Sequence, residues 1–240
     1  MFRKIQTAIC LLAITGFVFL WCYSDKNDIA VMTSGGNIPT SMDKQIVVLD
    51  PGHGGFDGGC VSVDGTAEKG INLNISNNLR DCLTVMGFDV KCTRTEDISI
   101  HDKGVEGIGN QKKSDMKNRL ALFNKYSNAI SVSIHQNQFT DGKYYGAQMF
   151  YSKKNKGGEM LAEAVQKQFV SLLQPDNKRE TKPAGDELYL LDNTDCPAIM
   201  AECGFLSNEE EAKKLESTDY QKQVSFTLMT GIFEYLNQTI

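Results

Sequence analysis

Short aliphatic runs alternate with segments of helical periodicity through most of this chain, and that alternation restricts the folds open to it. Strands that are separated by helices usually pair in parallel, with helices covering both faces of the sheet. Six runs have the length and composition of strands: 45–50, 88–94, 129–135, 147–151, 188–191 and 198–202. The pattern predicts a single α/β domain with a twisted, mostly parallel or mixed six-stranded sheet flanked by helices.

Apolar residues recur at helical spacing in four segments between and after these runs. The first covers 71–86, and Gly87 follows it at the point where a left-handed residue commonly ends a helix. Three more helices are expected: one around Leu120, one over 161–172 that stops before Pro175, and one over 224–236. Residues 97–113 are polar, contain glycine and show no periodicity, which predicts a loop of the kind that covers a functional site.

Residues 1–23 differ in composition from the rest of the chain. Two basic residues precede an almost unbroken apolar run over 8–23, which is typical of an export signal or an N-terminal membrane anchor. Bulky Trp21, near the end of the run, favours a retained anchor over a cleaved signal. Residues 24–43 are rich in Ser, Thr, Gly, Asn and Asp and indicate a linker. The folded domain is therefore expected over 44–240, outside the cytoplasm.

Charge and cysteine content argue against several classes of protein. The formal net charge is -5 and the basic residues are scattered, so we expect no nucleic-acid partner. The seven cysteines are an odd number and include no CxxC pair. This argues against a disulfide scaffold and against a cysteine-ligated zinc site. Cys203 is interpreted as a buried hydrophobe, because the sequence places no histidine beside it to activate a thiol.

Three of the predicted strands end at a residue suited to metal chemistry. His53 follows IVVLDPG, His135 ends AISVSIH, and Glu202 ends AIMAE. The carboxyl ends of parallel strands lie along one edge of a sheet, so we expect these side chains to converge. Glu68, at the start of the next helix, adds a carboxylate from the adjacent loop. Two imidazoles and one carboxylate form a known catalytic Zn²⁺ set, and Glu202 would stay off the metal and move protons.

Each of these residues also has a structural interpretation. A single histidine at a strand end is usually hydrogen-bonded, and Glu68 can be a first-turn residue that interacts with its helix dipole. Glu202 can be a buried carboxylate paired with Arg94 or Arg119. Three other polar residues are expected to lie outside the site, either exposed or forming turns: His101, Asp50 and Asp57.

Several motifs follow one another in an order that is specific to one family. They are VVLDPGHGG, EKGINLNIS from Glu68, the pair Thr93 and Arg94, SVSIHQN, and PAIMAECGFLSN. The chain in this way resembles the zinc-dependent N-acetylmuramoyl-L-alanine amidases over about 45–236. By this resemblance, His53, Glu68 and His135 correspond to the zinc ligands and Glu202 to the catalytic glutamate. Arg119 corresponds to an arginine with a structural or substrate-binding role.

The resemblance implies hydrolysis of the amide between the lactyl group of N-acetylmuramic acid and L-alanine, on peptidoglycan glycan strands that carry stem peptides. The short N-terminal membrane anchor, the absence of wall-binding repeats in this sequence and the loop over 97–113 look most like the sporulation branch of the family. That branch removes peptides so that muramic-δ-lactam can form, which implies an exported protein in the forespore or cortex space. Gln136 and Cys203 depart from the family pattern. Altered polarity at these positions is compatible with weaker zinc binding and with a need for an activating or anchoring protein partner.

Two other functions share these sequence features. Another exported zinc hydrolase, a peptidase or a polysaccharide deacetylase, can use the same ligand set on an α/β fold. A wall-binding protein of the same fold can lack catalysis altogether. The complete set of ligand positions argues against the non-catalytic protein, and the products of peptidoglycan digestion separate the two hydrolases from an amidase.

Overall fold

The computed structural model describes residues 45–239, which form one six-stranded sheet with helices on both faces. The strands are β1 (Ile46–Pro51), β2 (Asp89–Cys92), β3 (Ala129–Asn137), β4 (Gln148–Tyr151), β5 (Lys182–Pro183) and β6 (Ala198–Phe205). The helices are α1 (Glu68–Val85), α2 (Ile108–Phe123), α3 (Lys156–Gln168), α4 (Tyr189–Asn193), α5 (Glu209–Glu216) and α6 (Thr218–Thr239), and a π-helical turn (Phe169–Leu173) continues α3. The predicted α/β class and six-stranded sheet are confirmed.

The strands are mostly parallel, with a reversal toward one edge of the sheet. Their order is β2-β1-β3-β6-β4-β5, and β2, β1, β3 and β6 all run in the same direction. β4 pairs with β6 in the antiparallel direction, and the short β5 runs parallel to β4. The sheet is therefore mixed, and the carboxyl ends of β1, β3 and β6 lie side by side.

Apolar side chains fill both faces of the sheet. Alternate residues of β3, such as Val132 and Ile134, are fully buried in a core that also contains residues of α1, α3 and α6. The opposite face carries a smaller core that includes Val48, Phe123 and Leu191 and is covered by α2 and α4. Burial on both faces explains why the central strands are continuous aliphatic runs.

Helix α1 follows the sequence expectation closely. Ile71, Ile75, Leu79 and Leu83 recur every four residues and are at most 2% exposed. Such spacing gives one apolar stripe, which packs on the sheet beside α6. Gly87 follows the helix with a φ of 92°, the left-handed conformation that was expected there.

Two sequence expectations are wrong. Residues 188–191 were expected to form a strand, but Tyr189–Asn193 forms the short helix α4, in which Leu190 and Leu191 pack into the smaller core. A short aliphatic run does not distinguish a strand from one buried helical turn.

The loop expected over 97–113 ends at Gly107, because α2 begins at Ile108. The first turns of α2 are exposed and therefore show no apolar periodicity. The helix expected before Pro175 does end before it.

The predicted N-terminal segment over 1–23 and linker over 24–43 lie outside the described residues and stay predictions, as do the boundaries of the domain over 44–240. Among residues 45–239, none of the helices is both long enough and apolar enough to cross a membrane.

Candidate metal centre

The carboxyl edge of the sheet brings together the residues that were expected to converge. His135 pairs with Glu202 across β3 and β6, and His53 lies two residues beyond the end of β1. Glu68 is the first residue of α1, and its backbone N–H donates to the carbonyl of Cys60 in the preceding loop. Open α/β sheets place ligands at this edge. The convergence predicted from the strand ends is confirmed.

His53, Glu68 and His135 form a compact group of candidate metal ligands. Their ligand atoms all lie within 4.8 Å of one another. Nε2 of His53 is 3.2 Å from Oε2 of Glu68, and Nδ1 of His135 is 3.0 Å from Oε1 of the same carboxylate. The Glu68 side chain is only 3% exposed, against 24% for His53 and 16% for His135. The group is therefore accessible from the imidazole side.

The electrostatics of the group favour positive charge between the imidazoles. Burial alone would raise the pKa of Glu68, but hydrogen bonds and attraction from His135 and His53 hold it well below its usual value. Burial lowers the pKa of His135, and Glu68 more than offsets this and raises it. A buried carboxylate that faces two ring nitrogens is a donor set that can hold a divalent cation.

Three hydrogen bonds from neighbouring residues orient the Glu68 carboxylate. The backbone N–H of Cys60 donates to Oε2 at 2.9 Å, and the backbone N–H of Gln136 donates to Oε1 at 3.0 Å. The Asn72 amide also donates to Oε1 at 2.9 Å and in turn accepts from the side chain of Gln136 at 3.1 Å. Gln136, which departs from the family pattern, thus belongs to the network that orients Glu68.

The backbone around His53 is fixed by two buried arginines and a close approach. His53 has a φ of 62°, which is uncommon for a residue other than glycine. Arg119 donates to the carbonyl of His53 at 2.7 Å, and Arg94 donates to the carbonyl of Gly52 at 2.8 Å. A Cβ atom at Gly52 would overlap the ring of His135, so only glycine fits between β1 and that imidazole.

Glu202 occupies a different environment from Glu68. The residue as a whole is half-buried, but its Oε2 atom is buried and has no hydrogen-bond partner among the described residues. Burial raises the pKa of Glu202 to about 7; His135 opposes this shift and Glu68 adds to it. Arg94 donates to backbone carbonyls, and Arg119 pairs with acidic residues elsewhere. Neither arginine is paired with Glu202, which removes one structural interpretation of this carboxylate.

Asp50 and Asp57 were expected to form turns, and both have other roles. Asp50 is fully buried and pairs with Arg119 at 2.6 Å. Asp57 accepts from Nδ1 of His53 at 3.0 Å, which sequence reasoning missed. His101 lies outside the ligand group, as expected, although it is half-buried and meets Phe56 edge to face.

Cys203 is buried in the larger core, where burial raises the pKa of its thiol. Its side chain belongs to the face of β6 that carries the larger core, together with Ile199 and Ala201. A protonated thiol on that face is not a nucleophile, as the sequence indicated.

Comparison with known proteins gives one consistent result. The model of the N-acetylmuramoyl-L-alanine amidase family matches residues 47–234. A germination-specific N-acetylmuramoyl-L-alanine amidase of Bacillus subtilis is 32% identical over 236 residues, which cover 98% of this chain and 97% of that protein. The CwlD amidase of Clostridioides difficile, solved in complex with the GerS lipoprotein, is 36% identical with a TM-score of 0.78, covering 81% of this chain and 100% of that chain.

A second solved structure, an N-acetylmuramoyl-L-alanine amidase from Clostridium difficile 630, is 31% identical with a TM-score of 0.71. That match covers 82% of this chain and 99% of the other. The family match spans most of the described residues and includes all four residues at the carboxyl edge. This chain belongs to the N-acetylmuramoyl-L-alanine amidase family.

Proposed function

We propose that the protein is a zinc-dependent hydrolase that cleaves the amide between the lactyl group of N-acetylmuramic acid and L-alanine in peptidoglycan. The observation that carries this proposal is the position of Glu202. Its buried Oε2, which has no hydrogen-bond partner within residues 45–239, lies on the strand that pairs with β3 at His135, beside a candidate ligand group. A carboxylate whose pKa burial raises to about 7 is suited to accept a proton and to return it.

In this proposal His53, Glu68 and His135 hold the ion, and Glu202 stays off it. The donor set fits zinc, because two imidazoles and one carboxylate are a recurrent catalytic combination that leaves a position open. Zinc bound there would polarise the scissile carbonyl and make water a stronger acid. Glu202 takes the proton of the attacking water and donates it to the leaving nitrogen. The C–N bond breaks, and a lactyl carboxylate and the free amine of alanine are formed.

We infer that the setting is the spore cortex, outside the cytoplasm, with residues 1–23 as a signal or membrane anchor. The germination-specific relative from Bacillus subtilis supports this inference, since the two proteins align over nearly their whole lengths. A protein partner belongs to the same proposal, because the Clostridioides difficile relative was solved with a lipoprotein.

Digestion of purified peptidoglycan tests the reaction. The zinc-loaded protein should release stem peptides with a free N-terminal alanine, and Glu202→Gln should reduce this release by at least about 100-fold while zinc content stays the same. Glu209→Gln is the matched control, because Glu209 is an exposed glutamate on α5 whose side chain is 74% accessible.

Other products contradict the proposal. Release of acetate would identify a deacetylase, and cleavage within the stem peptide would identify a peptidase. Full activity without zinc, or no difference between Glu202→Gln and the unmodified protein, would remove the proposed mechanism. Loss of muramic-δ-lactam from spore cortex that lacks the protein would support the setting independently of the reaction in solution.

A further inference from the structure

Three aromatic rings lie in contact where β6 ends and in the loop that follows β3. Phe139 and Tyr144 meet edge to face with ring centroids 4.9 Å apart, and Tyr144 lies 6.4 Å from Phe205. Phe139 is 54% exposed and Tyr144 is 37% exposed, whereas Phe205 is 4% exposed beneath them. We call Phe139, Tyr144 and Phe205 the aromatic platform. Single exposed apolar residues are ordinary, whereas exposed apolar residues that lie next to one another are a feature of binding surfaces.

The aromatic platform begins close to the candidate metal centre. His135 pairs with Glu202, and a short distance farther along the same two strands Asn137 pairs with Phe205. At about 3.3 Å per strand residue, Phe205 lies roughly 10 Å beyond Glu202. A polymer that has its scissile bond at Glu202 and extends along β6 toward Phe205 therefore passes over the aromatic platform.

The loop that carries the exposed rings is held in place by hydrogen bonds. The backbone N–H of Phe139 donates to Ser207 at 3.0 Å, and the Asn208 amide donates to the carbonyl of Gly142 at 2.7 Å. The backbone N–H of Gly146 donates to both carboxylate oxygens of Glu211 at 3.0 Å. A surface that is ordered before binding loses less conformational entropy when a ligand binds.

A cation packs on the buried ring of the aromatic platform. The Arg179 guanidinium lies 4.5 Å from the ring centroid of Phe205, and its Nε donates to the carbonyl of Tyr145 at 2.7 Å. Arg179 thus holds the buried ring and the loop backbone together. The exposed rings are consequently held in place, and Nζ of Lys143 lies 5.4 Å from the centroid of the Tyr144 ring.

We propose that the aromatic platform binds the sugar rings of the glycan strand on the side next to the cleaved amide. The C–H faces of a sugar are apolar and pack on aromatic rings, while its hydroxyl groups reach polar atoms at the rim. The area of two exposed rings is small compared with the roughly 800 Å² per partner of a stable protein interface, and the rings adjoin the sheet edge where the amide is cleaved. This inference rests on the proposed function, because it assigns the substrate of the same site.

Binding to peptide-free glycan strands tests the platform without any hydrolysis. All variants are made in the Glu202→Gln background and measured by co-sedimentation or calorimetry with purified strands. Phe139→Ala and Tyr144→Ala should each weaken binding about 3- to 10-fold, the effect of losing one aromatic contact. Phe139→Tyr should restore it. Phe226→Ala is the matched control, because Phe226 is 52% exposed on the outer face of α6 and should leave binding unchanged.

Kinetics on two substrates give a second measurement. With active enzyme, Phe139→Ala should raise KM for polymeric strands by a similar factor, with kcat within about twofold and little change on a single disaccharide–peptide. Equal binding by Phe139→Ala and Phe226→Ala would overturn the platform, as would an equal loss on both substrates. A protein-docking surface would leave all glycan affinities unchanged. Absence of any amide cleavage would remove the proposed function, whereas the strand-binding measurement would still be informative.

Discussion

Asp57 connects the candidate ligand His53 to helix α2. One carboxylate oxygen of Asp57 is 3.0 Å from Nδ1 of His53, and the other accepts from Nζ of Lys112 at 3.0 Å. A carboxylate on the far nitrogen of a metal-binding histidine fixes the ring orientation and increases the basicity of the ligating nitrogen. Nε2 of His53 is consequently directed at Glu68, and Asp57 is a positioning residue for the proposed zinc site.

Replacement of Asp57 should weaken zinc binding without unfolding the protein. We expect Asp57→Ala to raise the Kd for zinc by about 10- to 100-fold, because the His53 ring loses its orienting partner. Competition with a chelator of known affinity measures this change. Asp81→Ala is the control, since Asp81 is 68% exposed on α1 and pairs with Arg80 outside the site. Equal zinc affinity in the two variants would assign Asp57 to the loop structure alone.

The sequence identified the candidate site residues but not the side chains that orient them. His53, His135 and Glu202 were identifiable because each lies at the end of an aliphatic run. Asp57 follows a glycine-rich turn, where a turn-forming role is the common one, and its contact with Lys112 joins segments 55 residues apart. Asn72 was identifiable in principle, because it lies four residues after Glu68 on the same face of α1.

Helix α5 anchors the loop between β3 and β4 through its N-cap. The Asn208 side chain accepts from the backbone N–H groups of Glu210 and Glu211, which is the usual N-cap arrangement. The same amide donates to the carbonyl of Gly142 in that loop. One side chain therefore both starts a helix and holds the loop that carries Phe139 and Tyr144.

Loss of this cap should affect the loop as well as the helix. Asn208→Ala should lower the free energy of unfolding by about 1 kcal/mol and increase hydrogen exchange of the loop amides over 138–146. Asn155→Ala is the matched control, because Asn155 caps α3 and donates to Asp195 instead. It should reduce stability by a similar amount and leave exchange in that loop unchanged. Equal protection of the loop in both variants would contradict the anchoring role.

At the scale of elements, periodicity predicted the helices that bury a long apolar stripe and missed the short ones. α1 buries an apolar residue on nearly every turn, whereas α5 buries only Ala212 and Leu215. The sequence pattern predicts a strand where α4 lies, because five residues are too few to show a period of 3.6. β5 consists of Lys182 and Pro183, both exposed, so it carries no hydrophobic pattern.

The convergence of site residues at the carboxyl edge of the sheet was predictable from a topological rule. Parallel strands share one carboxyl edge, so the three aliphatic runs that end near polar residues had to converge if they were neighbours. Their adjacency in the order β1, β3, β6 was not predictable from periodicity, nor was the reversal of β4. Pairing depends on contacts between distant segments, which a pattern within one strand does not contain.

A buried ion pair joins β1, β3 and α2 immediately beneath this edge. Asp50 of β1 pairs with Arg119 of α2 at 2.6 Å and accepts from Ser133 of β3 and from Thr93, each at 2.7 Å. Burial alone would raise the pKa of Asp50, but Arg119 and the two hydroxyl groups hold it below its usual value. The charged form of Asp50 is therefore the form that stabilises the folded protein.

The acid stability of the protein should depend on this carboxylate. Because the pKa of Asp50 is lower in the folded protein than in the unfolded chain, its contribution is complete above about pH 5 and is lost as the pH falls below about 4. Asp50→Asn should lower the free energy of unfolding by about 3 kcal/mol near neutral pH, since it leaves Arg119 partly uncompensated. Urea unfolding measured from neutral pH downwards should show this difference shrinking in acid.

Asp219→Asn is the control, as Asp219 is 87% exposed on α6 and should behave like the unmodified protein at each pH. A difference between Asp50→Asn and the unmodified protein that stays constant with pH would mean that the shape of the Asp50 side chain, and not its charge, holds the three elements together.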